Sequence, residues 1–170
     1  MLIRKTRADD IDRIMEIIEI TRENFRLEGI PQWQSEYPAR EDIQKDMDRG
    51  ESYVCELDSE VCGVCAVVRG VEPDYINIYE GEWKNEREYI AVHRVALHPS
   101  AKGRGVAAAF IAQAEKVAAE FGILDLKCDT HSVNRNMRRM LEKNGFEYCG
   151  IIYLSLDGEP RVAYQKCLDK

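Results

Sequence analysis

Ile11, Ile14, Met15 and Ile18 recur at the i, i+3, i+4, i+7 spacing that puts them on one face of a helix, and Asp9 or Asp10 stands where such a helix opens. A short strand is expected before it, over Leu2–Lys5, and Gly29-Ile30-Pro31 ends it. From there to Pro38 the chain is too rich in turn residues for a regular element and reads as a loop carrying Trp33, Gln34 and Tyr37. A second helix is expected over residues 40–49, stopped by Gly50. The period then changes from helical to alternating. Ser52–Leu57 and residues 61–68 read as two strands of an antiparallel hairpin joined at Asp58-Ser59-Glu60.

Between residues 70 and 88 the pattern blurs, with Tyr75, Ile76, Ile78 and Tyr79 set among six acidic residues, and the segment reads as an irregular excursion with at most a short strand. Residues 89–97 alternate again until Pro99, Lys102-Gly103-Arg104-Gly105 makes a basic turn, and residues 106–121 form an alanine-rich helix closed by Gly122. A strand over 123–128, a helix over 134–144 ending at Gly145, and strands over 147–156 and 161–166 around Asp157-Gly158 complete the chain. The sum is about seven strands and four helices without repeats, linker or low-complexity tract. Hairpins coexist with a strand-helix-strand crossover, so the expected fold is α/β, a single domain over residues 1–170 with a mixed sheet covered by helices on both faces.

At 170 residues the chain can bury a core without metal or disulfide, and a net charge of −7 with scattered lysines and arginines argues against nucleic acid as a partner. That balance suits a cationic small molecule or protein tail. No apolar run approaches the length of a membrane span, and Met-Leu-Ile-Arg-Lys lacks a signal-peptide core, so no membrane partner and a cytoplasmic location are expected. The six cysteines all fall in apolar stretches and are expected as reduced thiols; Cys62-Gly-Val-Cys65 lies mid-strand with no second pair, which suits neither a redox motif nor a zinc site.

The turn after residue 97 carries the chemistry. Glycines let several backbone N–H groups converge, and the first turn of the following helix adds four unpaired donors and about half a positive charge, which together suit a phosphate or pyrophosphate. Gly103-Arg-Gly105-Val-Ala-Ala108 formally fits a dinucleotide fingerprint. Such a turn, however, follows its strand at once, whereas His98-Pro-Ser-Ala-Lys102 intervenes here and only 65 residues remain after Gly105. No Gly-x-x-x-x-Gly-Lys-Ser/Thr occurs, which excludes a nucleoside-triphosphate loop.

Leu97-His-Pro-Ser-Ala-Lys-Gly-Arg-Gly-Val-Ala107 resembles the acetyl-coenzyme A motif of the GNAT superfamily of N-acetyltransferases, with Lys102 where the family usually has Arg or Gln. The run from Asn134 to Asn144-Gly145-Phe146 resembles a second family pattern, and the order of elements extends the likeness over nearly the whole chain. The resemblance implies a GNAT-like acyl-CoA N-acyltransferase fold, mostly antiparallel with a central parallel pair, using acetyl-CoA as cosubstrate. No metal is expected, because His93 and His98 are five apart across a strand end and point differently. It implies that backbone groups of Val95 and Leu97 meet the pantetheine arm. It further implies that N–H groups of Gly103, Arg104, Gly105, Val106, Ala107 and Ala108 hold the pyrophosphate, with Lys102 and Arg104 adding charge and Asn134 bonding the cofactor arm. Lys102 and Arg104 as solvated side chains, and Asn134 as a helix cap, are the plainer readings.

Acetyl transfer needs a neutral amine, and a lysine-like amine is almost wholly protonated at pH 7. His93 is the candidate base, on the strand of Val95 and Leu97, where alternation would place all three on one face. The tyrosine that many members of the family place seven residues after the helix asparagine is Leu141 here. The thiolate then either leaves as such, helped by the helix dipole, or takes a proton from His131 or Tyr148; His131 has the plainer role of orienting its loop. By the resemblance, Trp33, Tyr37 and the turn over residues 154–161 line the acceptor pocket; the acidic excursion, with Trp83, draws in a cationic acceptor. Trp33 and Trp83 as core residues are the competing reading. The expected activity is acetyl transfer to a primary amine of a small molecule or protein by direct attack in a ternary complex. The alternative is a CoA-binding sensor or assembly subunit without turnover. A homodimer is expected only by analogy with the family.

Overall fold

The computed structural model describes residues 1–169. Its strands are β1 (Leu2–Lys5), β2 (Ser52–Leu57), β3 (Glu60–Arg69), β4 (Ile90–Leu97), β5 (Asp125–Thr130), β6 (Glu147–Tyr153) and β7 (Pro160–Cys167). Its helices are α1 (Ile11–Leu27), α2 (Arg40–Asp48), α3 (Val106–Glu120) and α4 (Arg135–Lys143). The strand order is β1-β2-β3-β4-β5-β7-β6 in one mixed sheet; β1–β2, β2–β3, β5–β7 and β6–β7 pair antiparallel, and β4 runs parallel to β5, with Ile90 opposite Leu126 and Ala91 opposite Lys127. The expected element count holds. The chain groups into two compact units, residues 1–68 with 93–113, and residues 69–92 with those from 114 onward.

In the first unit, Asp58 and Ser59 (φ +53° and +68°) form the two-residue turn that closes the β2–β3 hairpin at the Leu57–Glu60 pair. Ile14, Ile17 and Ile18 of α1 and Ile43 of α2 bury their side chains with Val54, Val61, Val64 and Ala96 from the strands. The neighbouring residue Gly63 faces the other way, where a β-carbon would lie 3.2 Å from Phe110 of α3. Helices therefore cover both faces of this part of the sheet. Burying these isoleucines contributes about 1.5–3 kcal/mol each.

The second unit is layered differently. Tyr164 of β7 faces α4, accepting a hydrogen bond from Arg138 Nε (3.1 Å), and Lys166 reaches Glu115 of α3 at 2.6 Å. On the opposite face Gln165 and its cross-strand partner Lys127 are covered by residues 70–89. That excursion holds a one-turn helix, Pro73–Tyr75, and a single bridge from Tyr79 to Ile151, in place of a regular strand. It is fixed by side chains: Gln165 Oε1 accepts from Lys84 N and Asp125 accepts from Asn85, both at 2.9 Å.

The remaining differences from the sequence reading are of one to three residues. β5 begins two residues later and runs two further than 123–128, and β6 stops at Tyr153 rather than residue 156. All six cysteines are free thiols, five of them buried. Burial pushes Cys65 well up, and burial with the neighbouring Cys62 pushes Cys55 up to about 12, which makes these thiols inert. Among the described residues no helix is long and apolar enough to cross a membrane.

Candidate active site

The chain leaves β4 through a one-turn helix, Pro99–Ala101, before the glycine turn. His98 Nδ1 accepts from Ser100 N at 3.2 Å, while Lys102 N and Arg104 N donate to Pro99 O and Ala101 O, both at 3.1 Å. Gly103 and Gly105 then take φ +74° and +77°, a left-handed backbone that a side chain resists, and a β-carbon at either would meet no atom within 4 Å. These glycines serve backbone shape and leave open space in front of it. Ala109 N donates to Gly105 O at 3.0 Å, so α3 begins its ladder there and the amides ahead of Ala109 have no intrahelical acceptor. Lys102 to Gly105 and Ala108 are exposed, Ala107 is half-buried and Val106 is anchored in the core. A run of free N–H groups at a helix N-terminus beside two cations suits a bound pyrophosphate.

Arg104 is not idle in this state. Both terminal nitrogens of its guanidinium lie 3.3 Å from Asp58 on the β2–β3 turn, an exposed pair.

β4 is not a regular strand. His93, Val95 and Leu97 are half-buried on it, but Arg94 takes φ +53°, which interrupts the pleat between His93 and Val95. The even alternation expected to align His93, Val95 and Leu97 does not run through that point. At this point the Arg94 side chain reaches α2 and the loop before it: Nε and Nη2 each lie 2.6 Å from a carboxylate oxygen of Asp46 on α2, while Nη1 donates to the Tyr37 hydroxyl at 2.9 Å. Burial works against the Arg94 charge, yet Tyr37 and Asp46 hold its pKa above the ordinary arginine value. Neither Arg94 nor Asp46 was singled out in the sequence, where Asp46 sits on a strongly polar helix.

Tyr37 and Trp33 lie in the loop between α1 and α2. Arg22 of α1 binds this loop through Trp33 O (2.8 Å) and Pro38 O (3.3 Å), and Trp33 packs edge-on to Phe25 at 5.6 Å and against the isoleucine core.

The other candidates belong to the second unit. Asn134 is buried and caps α4, its Oδ1 accepting from Met137 N at 3.1 Å. His131 stands before that cap, with Val133 N donating to its Nδ1 at 3.3 Å. Burial, then the nearby Arg161, lower its pKa, which leaves the ring mostly neutral near pH 7 and weakens it as a proton donor. Tyr148 is half-exposed on β6, edge-on to Tyr164. Leu141 is fully buried. Trp83 donates from Nε1 to Tyr75 O (2.8 Å), and its ring covers the Lys127 ammonium. Among the described residues no group of His, Cys, Asp and Glu is placed to hold a metal ion.

Residues 14–146 match the model of the Acetyltransferase (GNAT) family. A GNAT-family acetyltransferase from Streptococcus agalactiae 2603 is 37% identical, with 99% of this chain and 96% of that one aligned at a TM-score of 0.88. The ribosomal-protein-alanine N-acetyltransferase of Brucella melitensis aligns over 99% of this chain and 100% of its own at 19% identity and a TM-score of 0.71. N-acetylglutamate synthase from Neisseria gonorrhoeae, solved with coenzyme A and N-acetyl-glutamate, aligns over 99% of this chain and 35% of its own at 19% identity and a TM-score of 0.67. Among curated proteins none matches.

Proposed function

The chain belongs to the GNAT acetyltransferase family, and from that membership we propose that this acyltransferase moves an acetyl group from acetyl-CoA directly to a primary amine in a ternary complex. The observation that carries the reading is the cradle after β4: two glycines with positive φ, open space before them, and unpaired amides at the start of α3. These residues fit a pyrophosphate, with Gly103 and Gly105 to Ala108 donating N–H groups and the side chains of Lys102 and Arg104 adding charge. Backbone groups of Val95 and Leu97 meet the pantetheine arm in this proposal. Asn134 enters it, through the resemblance, as a contact of the same arm.

Acetyl-CoA, when bound, supplies an activated thioester. The protein's part is to bind it, orient the amine, and take a proton. His93 is the proposed base on β4, beside the bulge at Arg94. N–H groups on the same strand are the proposed donors to charge that develops on the acetyl oxygen. For the departing sulfur, Leu141 offers no proton and His131 is mostly neutral. The proposal is that the thiolate leaves unprotonated, which a thiol of ordinary pKa near 8.5 permits. Tyr148→Phe tests the other candidate donor and is expected to change kcat by less than about threefold. Trp33 and Tyr37 line the proposed acceptor side. A net charge of −7 favours a cationic amine, whether of a small molecule or a protein.

Calorimetric titration of acetyl-CoA into wild type and a Gly105→Trp variant tests the reading, followed by thiol release with pooled amines. Binding that is lost in a folded variant, with thiol released for some amine, is the expected result. Binding without release under any pool would favour a CoA sensor, and no binding would overturn the proposal.

A further inference from the structure

A non-glycine residue with a left-handed backbone in the middle of a strand is strained and persists only where its surroundings over-determine it. Arg94 is such a residue, at φ +53° between His93 and Val95. Its side chain makes a two-pronged ion pair with Asp46 of α2, both contacts 2.6 Å, with side-chain exposures of 15% and 6%. A charged pair this far out of water is seldom a source of net stability, so its presence calls for another use.

The third arm of the guanidinium supplies one. Nη1 donates to the hydroxyl of Tyr37 at 2.9 Å, and Tyr37 belongs to the loop between α1 and α2. Within that loop Trp33 is also left-handed, at φ +61°, and its carbonyl is held by Arg22. Arg22 therefore ties the loop backbone to α1, while Arg94 ties a loop side chain to the strand that carries His93. The planar fork of arginine can meet Asp46 through two nitrogens and Tyr37 through a third at once; a lysine ammonium cannot reproduce that geometry.

We propose that Arg94, clamped by Asp46, is a positioning residue that holds Tyr37 and its loop in register with the His93 segment of β4, and so sets how tightly the acceptor amine is bound. This rests on the reading above that the loop lines the acceptor side. The role is distinct from binding acetyl-CoA, whose cradle lies after β4 and makes no contact with this clamp through the bonds described.

Two variants test it. Tyr37→Phe removes only the hydroxyl, and Arg94→Lys keeps the charge and leaves Tyr37 intact. Amide hydrogen exchange over residues 32–38 in the ligand-free protein should quicken about fivefold or more in both, since one hydrogen bond of ordinary strength is lost. The amine KM should rise by a similar factor in both, with acetyl-CoA affinity held within about twofold. Exchange unchanged within twofold would overturn the proposal, as would a KM change confined to Tyr37→Phe or an equal loss of acetyl-CoA affinity. Where Arg94→Lys fails to fold, Asp46→Asn takes its place with the same expected readings. A wild-type protein that acetylates no amine would sink the parent reading of the loop, whereas loop exchange would still decide whether Arg94 holds it.

Discussion

The ammonium of Lys127 lies 4.0 Å from the centroid of the Trp83 ring and 4.1 Å from that of Tyr89, on a side chain that is only 4% exposed. Trp83 thus covers a cation of its own chain, and its indole N–H is already given to Tyr75 O. Burial pushes the Lys127 pKa down to about 8 from its ordinary 10.5, against the pull of Asp125. Below about pH 8 both folded and unfolded chains are protonated there, and the full penalty of about 3 kcal/mol applies, offset in part by the two rings. Between about pH 8 and 10.5 the unfolded chain holds a proton the native chain has lost, so raising the pH stabilises the fold through this residue. Lys127→Met is expected to be more stable than wild type by about 1–3 kcal/mol at pH 7, with the advantage shrinking toward pH 10. Denaturant titrations of both proteins across that range read it; a gap that is constant with pH would show that Lys127 does not titrate as described.

Asp46→Ala leaves the Arg94 guanidinium buried with only Tyr37 as its partner in the clamp. Removing one member of a buried pair typically costs about 3–5 kcal/mol. The double variant Asp46→Ala, Arg94→Met should recover most of that loss, because it removes the stranded charge and fills the space with an apolar chain. Thermal and denaturant unfolding of the three variants measure the cycle, and a double variant less stable than Asp46→Ala would contradict it.

Much of the fold was legible because it rests on local rules. Isoleucine spacing gave α1, alternation gave β2 and β3, and glycines marked the ends of four helices. What was missed depends on contacts distant in sequence. Nothing local marks Arg94 for a positive φ or for its ion pair with a carboxylate 48 residues away. Lys127 alternates with the apolar Leu126 and Cys128 on β5, and its burial depends on residues 70–89 folding over that face. The glycine turn and the start of α3 were legible because they adjoin in sequence; the proposed acceptor side was not, since its candidates come from separate loops.

Asn134→Ala should separate two roles of one side chain. Loss of the cap to Met137 N is expected to cost about 1 kcal/mol. Asn134→Ser restores a capping oxygen but not the longer amide. If the amide also bonds the cofactor arm, Ser should recover stability while acetyl-CoA affinity stays about fivefold or more below wild type. Recovery of both in the serine variant would reduce Asn134 to a cap.

Asp58 draws Arg104 toward the β2–β3 turn, and a pyrophosphate at the cradle would compete for the same guanidinium. Both side chains are largely exposed, so the pair itself contributes at most about 1 kcal/mol and is screened by salt. Asp58→Asn removes the competing charge and leaves the left-handed turn, which Asn tolerates, in place. Acetyl-CoA should therefore bind about two- to fivefold more tightly to this variant at low ionic strength, and the gain should fade in 0.5 M salt. In Arg104→Gln the Asp58 substitution should lose most of its effect, because the partner it releases is gone. An equal gain with and without Arg104 would mean that Asp58 acts only as a general negative charge near the cradle. A loss of affinity in Asp58→Asn would mean that the ion pair pre-orients Arg104 for the phosphate rather than competing with it.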